Sequence, residues 1–355
     1  MPVFPQAVRA PRARRRRFTA LVGLALAATA LSAGGASASE TSAASNSAAK
    51  AAYPVTIKHK FGSTTLTSKP KRIVLVGLIE QDALLALGEV PVATTEWFGG
   101  HKGAIWPWAK DELGNGKYPT VLKDTDGMQF EKIKALRPDV IIGLYSGMKK
   151  SDYGTLSKIA PVIAQTNDYV DYGVPWQVAT STVGKVVGKS ARAEKLIAGI
   201  EKRFAAVRKA NPKFVGATAV IAAPYQGIWV YGPEDVRSRV LESLGFKLPK
   251  DLGGITGTEF GANLSKERTD LLDVDAIIWL ATSPKKDAAT LAKDKLYSSL
   301  AVHTEGREVF IGDNEPLGGA FSFVSVLSLP FMLDNFVPLM KRAIDGDPST
   351  VVRKT

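Results

Sequence analysis

The sequence lacks cysteine entirely and contains only three histidines, His59, His101 and His303, among 355 residues. Without thiols there are no disulfides, thiolate zinc sites, iron–sulfur clusters, cysteine nucleophiles or acylated lipoprotein anchors. The histidines are far apart in sequence and no shared carboxylate motif accompanies them. We therefore expect no directly bound metal, no resident cofactor and no catalytic site.

Positive charge is concentrated at the start of the chain. The formal net charge is +12, but residues 1–38 hold six arginines and no acidic residue, which leaves +6 for the remainder. An apolar stretch over 18–31 and small residues up to Ala38 follow the arginines, a pattern typical of a cleaved export signal. About 14 helical residues reach only about 21 Å, too short for a bilayer core of about 30 Å. The run Arg15-Arg16-Arg17-Phe18 also resembles a twin-arginine export signal, although a plain poly-arginine start has the same appearance.

Beyond the signal, strand-like apolar runs alternate with helical segments on both sides of a long helical stretch. Residues 73–76 and 140–142 predict buried strands of an α/β lobe. Apolar residues over 176–210 recur mostly at three- and four-residue spacings, which predicts one long helix, about 45 Å if continuous. The predicted organisation is a signal peptide (1–38), a flexible leader (39–52), an N-terminal α/β lobe (53–173), a bridging helix (174–211) and a C-terminal α/β lobe (212–355).

The two halves repeat each other. Residues 131–142 and 267–278 match without a gap at Glu, Leu, Asp and an Ile-Ile pair. Residues 82–88 parallel 239–245, and a third match between tyrosine-led segments keeps the same order. Three matches in order predict two lobes that arose by duplication.

These segments resemble the substrate-binding proteins of ABC importers that carry ferric siderophores, haem or cobalamin. The likeness is carried by Pro70-Lys-Arg-Ile-Val, by 81–88 and by 131–142, while Thr95-Glu96-Trp97 and Trp106-Pro107-Trp108 resemble the iron-siderophore branch. The resemblance implies an α/β fold of two similar three-layer lobes bridged by one long helix, as in class III periplasmic binding proteins. Gram-positive members usually carry a lipidated cysteine, whereas Leu31-Ser-Ala is followed here by Gly34.

The resemblance also implies a docking pair. Members of this family present one glutamate near a helix start on each lobe to arginines of the membrane permease, and the matching positions are Glu131 and Glu267. The internal repeat singles out the same two residues. The alternative is that each carboxylate only compensates a helix dipole, a stabilisation of about 0.3–1 kcal/mol.

The ligand cleft is expected where strands of the two lobes end. Aromatic faces suit the organic shell of a chelate, and arginines suit its anionic oxygens. Strand alternation puts Trp229 and Tyr231 on one face, so both line the cleft or neither does. The candidate ligand-binding residues at strand exits are Trp97, Trp106, Tyr145, Tyr225, Trp229, Tyr231, Arg237, Arg239 and Phe321.

The resulting expectation is an exported, non-enzymatic binding protein, monomeric and without nucleic-acid partners. It captures a ferric siderophore, of hydroxamate or mixed type, and delivers it to a permease in the membrane. Iron enters only as the chelated ligand. A haem or cobalamin binder of the same architecture is one alternative, and a chelatase-like two-lobed enzyme is another.

Overall fold

The computed structural model describes residues 52–123, 127–347, 349–350 and 352. The predicted signal peptide and residues 39–51 of the predicted leader lie outside these ranges. The described residues belong to one compact unit. Within them, no helix combines the length and apolar character needed to cross a bilayer.

The first lobe contains a hairpin and a five-stranded parallel sheet. The hairpin pairs β1 (Val55–His59) antiparallel with β2 (Gly62–Leu66). The sheet comprises β3 (Ile73–Leu75), β4 (Ala93–Glu96), β5 (Thr120–Lys123), β6 (Val140–Gly143) and β7 (Val162–Ala164), in the order β5-β4-β3-β6-β7. The helices are α1 (Glu80–Ala86), α2 (Lys110–Leu113), α3 (Phe130–Ala135) and α4 (Lys150–Leu156). Short 3-10 helices cover Lys102–Ala104 and Pro107–Ala109.

The prediction of one continuous helix over 176–210 is wrong. The segment forms α5 (Trp176–Val186) and α6 (Ser190–Ala210), separated by a turn at Gly188. The backbone of Gly188 has φ +69°, a left-handed conformation that ends helices and favours glycine. The chain then folds back, so that α6 packs beside α5. The Gln177 side chain of α5 donates a hydrogen bond to Glu201 Oε1 of α6 at 2.7 Å.

Helix α6 contacts both lobes. At its start, Lys189 Nζ donates to the Leu87 carbonyl of the first lobe at 2.6 Å. At its end, the Arg208 guanidinium donates to the Ser243 carbonyl of the second lobe. Its 21 residues correspond to about 31 Å, shorter than the length expected for an unbroken helix.

The second lobe repeats the strand order of the first, β10-β9-β8-β11-β12, with one strand reversed. The strands are β8 (Ala219–Ala223), β9 (Ile228–Tyr231), β10 (Gly261–Leu264), β11 (Ala276–Ala281) and β12 (Glu308–Gly312). Strand β9 is antiparallel to both neighbours and pairs with the carboxyl-terminal half of β8. Strands β8, β11 and β12 are parallel and buried, which explains their uninterrupted apolar sequences.

Several helices surround this second sheet. They are α7 (Val236–Ser243), α8 (Leu252–Thr256), α9 (Pro284–Leu291), α10 (Lys295–Ser298), α11 (Ala301–Thr304), α12 (Pro316–Ser322) and α13 (Ser328–Ala343), with 3-10 helices at Pro212–Phe214 and Lys266–Leu272. Residues 324–327 are non-helical, so the closing helix α13 starts only at Ser328. Their burial against the first lobe explains the late start, because Leu327 packs on the cluster that contains Leu85.

Candidate functional site

Tyrosines of both lobes meet a buried ion pair. The ring of Tyr145, which follows β6, makes an edge contact with Tyr172 at a centroid distance of 5.7 Å. Tyr145 also interacts electrostatically with Tyr231, Asp235 and Arg237 of the second lobe. These five residues, the tyrosine–arginine cluster, therefore lie where the carboxyl edge of the first sheet faces the second lobe.

The second-lobe part of this cluster is tightly built. The Arg237 guanidinium lies 4.4 Å from the centre of the Tyr231 ring and forms an ion pair with Asp235 at 2.9 Å. Asp235 is the N-cap of α7 and accepts the Arg237 backbone N–H at 2.7 Å. Burial raises the pKa of Tyr231 to about 12 and raises the pKa of Tyr145 as well, so both phenols are neutral at physiological pH. The cluster thus combines aromatic surface with a compensated charge.

A buried glutamate holds the first-lobe side of the cluster. Glu80, at the start of α1, is fully buried and accepts the backbone N–H of Tyr145 at 2.9 Å and that of Leu144. A side chain at Gly77 would overlap the Glu80 carboxylate, so glycine is required there. Burial raises the pKa of Glu80. Sequence analysis missed this residue, although an acid between the apolar residues at 78–79 and 83–87 was a usable signal.

A second inter-lobe contact is aromatic. Phe323, between α12 and α13, lies with its ring centre 5.6 Å from Trp97, 5.1 Å from Phe98 and 5.3 Å from Trp106. Trp106 is only 2% exposed and stacks on Trp108 at 4.9 Å, whereas Trp97 is half-buried. These five residues, the aromatic seam, join the first lobe to the C-terminal segment.

One carboxylate reinforces the aromatic seam. Asp82 of α1 is buried and accepts hydrogen bonds from Trp108 Nε1 at 2.8 Å and from the Ser325 hydroxyl of the C-terminal segment. Because it is desolvated, its pKa is raised to about 6 despite these two bonds. The 243 positions between Asp82 and Ser325 explain why sequence reasoning did not connect them.

Arg239 links the two lobes. Its guanidinium donates to the Gly173 carbonyl and pairs with Glu234 at 3.0 Å. It also lies 5.6 Å from the Tyr169 ring. A cavity of about 610 Å³ adjoins this tie and includes Trp176 among its lining residues.

The remaining candidates are dispersed. Tyr225 is 36% exposed in the β8–β9 loop, and Trp229 is half-buried with its ring 5.8 Å from Phe260. Phe321 is fully buried in α12 and packs edge-on against Phe336 of α13 at 4.8 Å. It lies within the second lobe's own core, and its role as a ligand contact stays a prediction.

The two predicted docking glutamates occupy equivalent positions. Glu131 is exposed in the first turn of α3, shortly after the carboxyl end of β5. Glu267 is exposed in the first turn of the 3-10 helix Lys266–Leu272, shortly after β10, whose direction matches that of β8. Backbone and Ser265 hydrogen bonds lower the pKa of Glu267. Both carboxylates therefore lie at the carboxyl edges of their sheets.

The histidines do not form a common site. His59 bonds to Thr64 in the hairpin, the His101 ring lies tilted against Trp106 at 4.3 Å, and His303 contacts Glu308 at 2.9 Å. Across the described ranges, no group of three or more potential metal-ligating side chains is close enough to hold an ion.

The fold and this two-lobed site define a substrate-binding protein, and comparison with known families agrees. Residues 80–314 match the periplasmic binding protein family, so the chain belongs to that family. It is 27% identical over 238 residues to the putative ABC transporter substrate-binding lipoprotein YhfQ of Bacillus subtilis, covering 66% of this chain and 72% of that protein. It is also 28% identical to the ferric enterobactin-binding periplasmic protein FepB of Escherichia coli, over 59% of this chain and 66% of FepB.

Solved structures confirm the class III type of architecture. A periplasmic solute-binding protein of Mycobacterium smegmatis superposes with a TM-score of 0.72 at 33% identity, covering 82% of this chain and 98% of the other. PiaA of Streptococcus pneumoniae, solved in complex with ferrichrome, superposes with a TM-score of 0.74 at 28% identity, covering 82% and 99%.

Proposed function

We propose that this protein is the exported substrate-binding component of an ABC importer and captures a ferric siderophore between its two lobes. The observation that carries the proposal is the tyrosine–arginine cluster, built from both lobes at the carboxyl edge of the first sheet. Tyr145, Tyr231 and Arg237 are its proposed ligand contacts, with Trp97 and Trp106 of the adjacent aromatic seam. The ferric-siderophore relatives support the same ligand class.

The charge of the site favours a hydroxamate or mixed-type chelate. Asp235 compensates Arg237, and the tyrosines are neutral. A ferric trihydroxamate has no net charge and loses little hydration free energy on entering such a site. A ferric tricatecholate carries three negative charges, and burying them without additional cations would be costly.

Capture requires only a small change of lobe angle. Helix α6 is attached to both lobes, and the aromatic seam holds them at a second place. A ligand that contacts Tyr145 on one lobe and Arg237 on the other is bound more strongly when the lobes are closed, so it shifts the population towards closure. No catalytic step is involved.

Delivery follows from the positions of Glu131 and Glu267. Two exposed carboxylates at equivalent edges of two linked lobes provide a pair with a defined span for cationic residues of a permease. The export signal over residues 1–38 supplies the route to the cell envelope. We propose that the mature protein acts there as a monomer.

Tryptophan fluorescence provides the test. Purified protein is titrated with a ferric trihydroxamate, a ferric tricatecholate, haem and cobalamin, and we expect saturable one-to-one quenching by the hydroxamate. The Tyr231→Ala variant should bind at least about tenfold more weakly, a loss of about 1.4 kcal/mol. Tyr153→Ala is the matched control, because Tyr153 packs on Phe61 beside the hairpin.

Three outcomes would contradict the proposal. Binding of none of the four ligands removes the importer function, and tightest binding of haem or cobalamin replaces the siderophore. Conversion of a ligand with turnover would identify a chelatase-like enzyme.

A further inference from the structure

The amino edge of the first sheet carries a continuous row of basic side chains. Segments that precede β3 and β6 and the start of α6 contribute to it. Its cations are Lys69, Lys71, Arg72, Arg137, Lys189 and Arg192, and all except the half-buried Lys189 are exposed. We call these six residues the basic face.

Direct contacts connect one half of the basic face. Lys69 and Lys189 both pair with the same oxygen of Glu89, each at 2.6 Å. Arg192 lies near Gly88, the residue before Glu89, since a Cβ on Gly88 would lie 3.9 Å from the Arg192 guanidinium. Two lysines therefore share one carboxylate, and an arginine lies close to them.

The other half is joined through backbone groups. The Arg72 guanidinium donates to the carbonyls of Leu136 and Arg137 at the end of α3, and it keeps its full charge because those acceptors are neutral. Asp139 accepts the backbone N–H groups of Lys71 and Arg72 at 2.7 and 2.9 Å. Six cations and two carboxylates give this region a net charge of +4, compared with +6 for the whole chain beyond residue 38.

At the corresponding edge of the second lobe, one arginine is paired with two carboxylates. Arg307, before β12, lies 3.2 Å from Glu305 and 3.6 Å from Asp275. Lys69 and Lys189, in contrast, share the single carboxylate of Glu89 at the first lobe's edge.

We propose that the basic face binds a phosphate-bearing linear polyanion of the cell envelope. Lysines and arginines contribute equally to it, and both cations bind phosphate oxygens spaced along a chain. The region offers no apolar centre of the kind protein interfaces use, because Val90 is the sole large apolar side chain exposed beside it in the described ranges. It lies at the opposite end of the sheet from Glu131, so a bilayer that holds a permease against Glu131 cannot also cover it.

The experiment measures binding of the full-length mature chain to long-chain polyphosphate at several salt concentrations. Wild-type affinity should fall steeply with salt, since each neutralised phosphate contributes about 0.7–0.9 to the slope of log K against log salt. The triple variant Lys69→Gln, Lys71→Gln, Arg192→Gln should bind at least about tenfold more weakly, with a slope smaller by about 2–3. Its siderophore titration should match wild type, which separates this outcome from any failure of the proposed function.

The matched control removes the same charge elsewhere. Lys285→Gln, Lys286→Gln, Lys293→Gln changes three lysines in and after α9, away from the basic face, and should leave polyphosphate binding unchanged. If both triple variants lost the same affinity for polyphosphate, net charge alone would explain the binding. That result would overturn the proposal. Phosphatidylglycerol vesicles form the second arm: they should bind much more weakly than polyphosphate, and equal or tighter binding would overturn the assignment to a polymer.

Discussion

The two lobes share a strand order but differ in how the second strand of each sheet is reached. In the first lobe, β4 follows β3 through α1 and is parallel to it. In the second lobe, β9 follows β8 through a four-residue turn, residues 224–227, and runs antiparallel. The reversed strand carries Tyr231 and leads into the Asp235–Arg237 pair, which has no counterpart in the described part of the first lobe. A shared strand order thus allows the two walls of the cleft to differ in chemistry.

The largest expected effect concerns the two docking glutamates, which occupy equivalent positions on the two lobes. Replacing both Glu131 and Glu267 by alanine should abolish uptake of the ferric siderophore, because losing partners of interfacial charge pairs costs about 2–5 kcal/mol each. Ligand affinity, measured by fluorescence, should not change. Each single variant should retain partial uptake. Full uptake by the double variant would refute the docking role and leave only helix-dipole compensation.

The next prediction concerns the buried ion pair found in the second lobe. Asp235→Ala leaves the Arg237 charge buried without compensation and should lower the free energy of unfolding by about 3–5 kcal/mol. Chemical denaturation measures the loss. Asp251→Ala is the control, since its partner Arg268 is a surface residue and the change should stay within about 1 kcal/mol. Similar values for both variants would show that burial adds nothing to the pair.

The third prediction concerns the pH dependence of stability that the buried carboxylate Asp82 of the first lobe should cause. Asp82 accepts hydrogen bonds from the neutral partners Trp108 and Ser325, and its pKa of about 6 exceeds the ordinary value of 3.8. The folded state therefore binds the proton more tightly, and stability should decrease by about 3 kcal/mol as pH rises from below 4 to above 6. Urea denaturation of wild type and Asp82→Asn between pH 4 and 7 measures this difference. A wild-type profile that parallels the variant would contradict it.

The smallest expected effect tests the contact between the lobes. A Cβ on Gly319 would lie 2.3 Å from the Trp106 ring, so Gly319→Ala should force the aromatic seam apart and cost about 1–3 kcal/mol. Gly254→Ala in α8 is the control, because a methyl group on Gly254 would meet nothing within 4 Å. Thermal unfolding compares the two variants. Unchanged stability of Gly319→Ala would mean that the aromatic seam accommodates the extra methyl group without cost.

Sequence reasoning recovered the features that repeat locally and missed those set by distant contacts. The strands at 73–75 and 140–143 were visible because parallel strands buried on both faces have continuous apolar sequences. The break in the long helix was hidden, because apolar spacing continues through Val183, Val186 and Val187 while Gly188 reverses the chain.

The same limit applies to the site. Phe321 and Phe323 are only two residues apart, and the end of α12 between them decides that one faces the second lobe's core and the other the first lobe. Tyr231 ends a predicted strand and Arg237 lies at a predicted helix start, so local pattern was enough to make both of them candidates. Asp82 and Ser325 meet only through the tertiary arrangement, which no local pattern encodes.

The distance between the two ends of α6 is fixed, because each end is hydrogen-bonded to one lobe. The start of α6 is tied to Leu87 and its last turn to Ser243, so the separation between these ends stays constant when a ligand enters. Paired spectroscopic probes placed there would report a fixed reference of about 31 Å. The distance between probes at positions 131 and 267 can be compared with this constant reference distance. The comparison would follow the approach of the two lobes in solution.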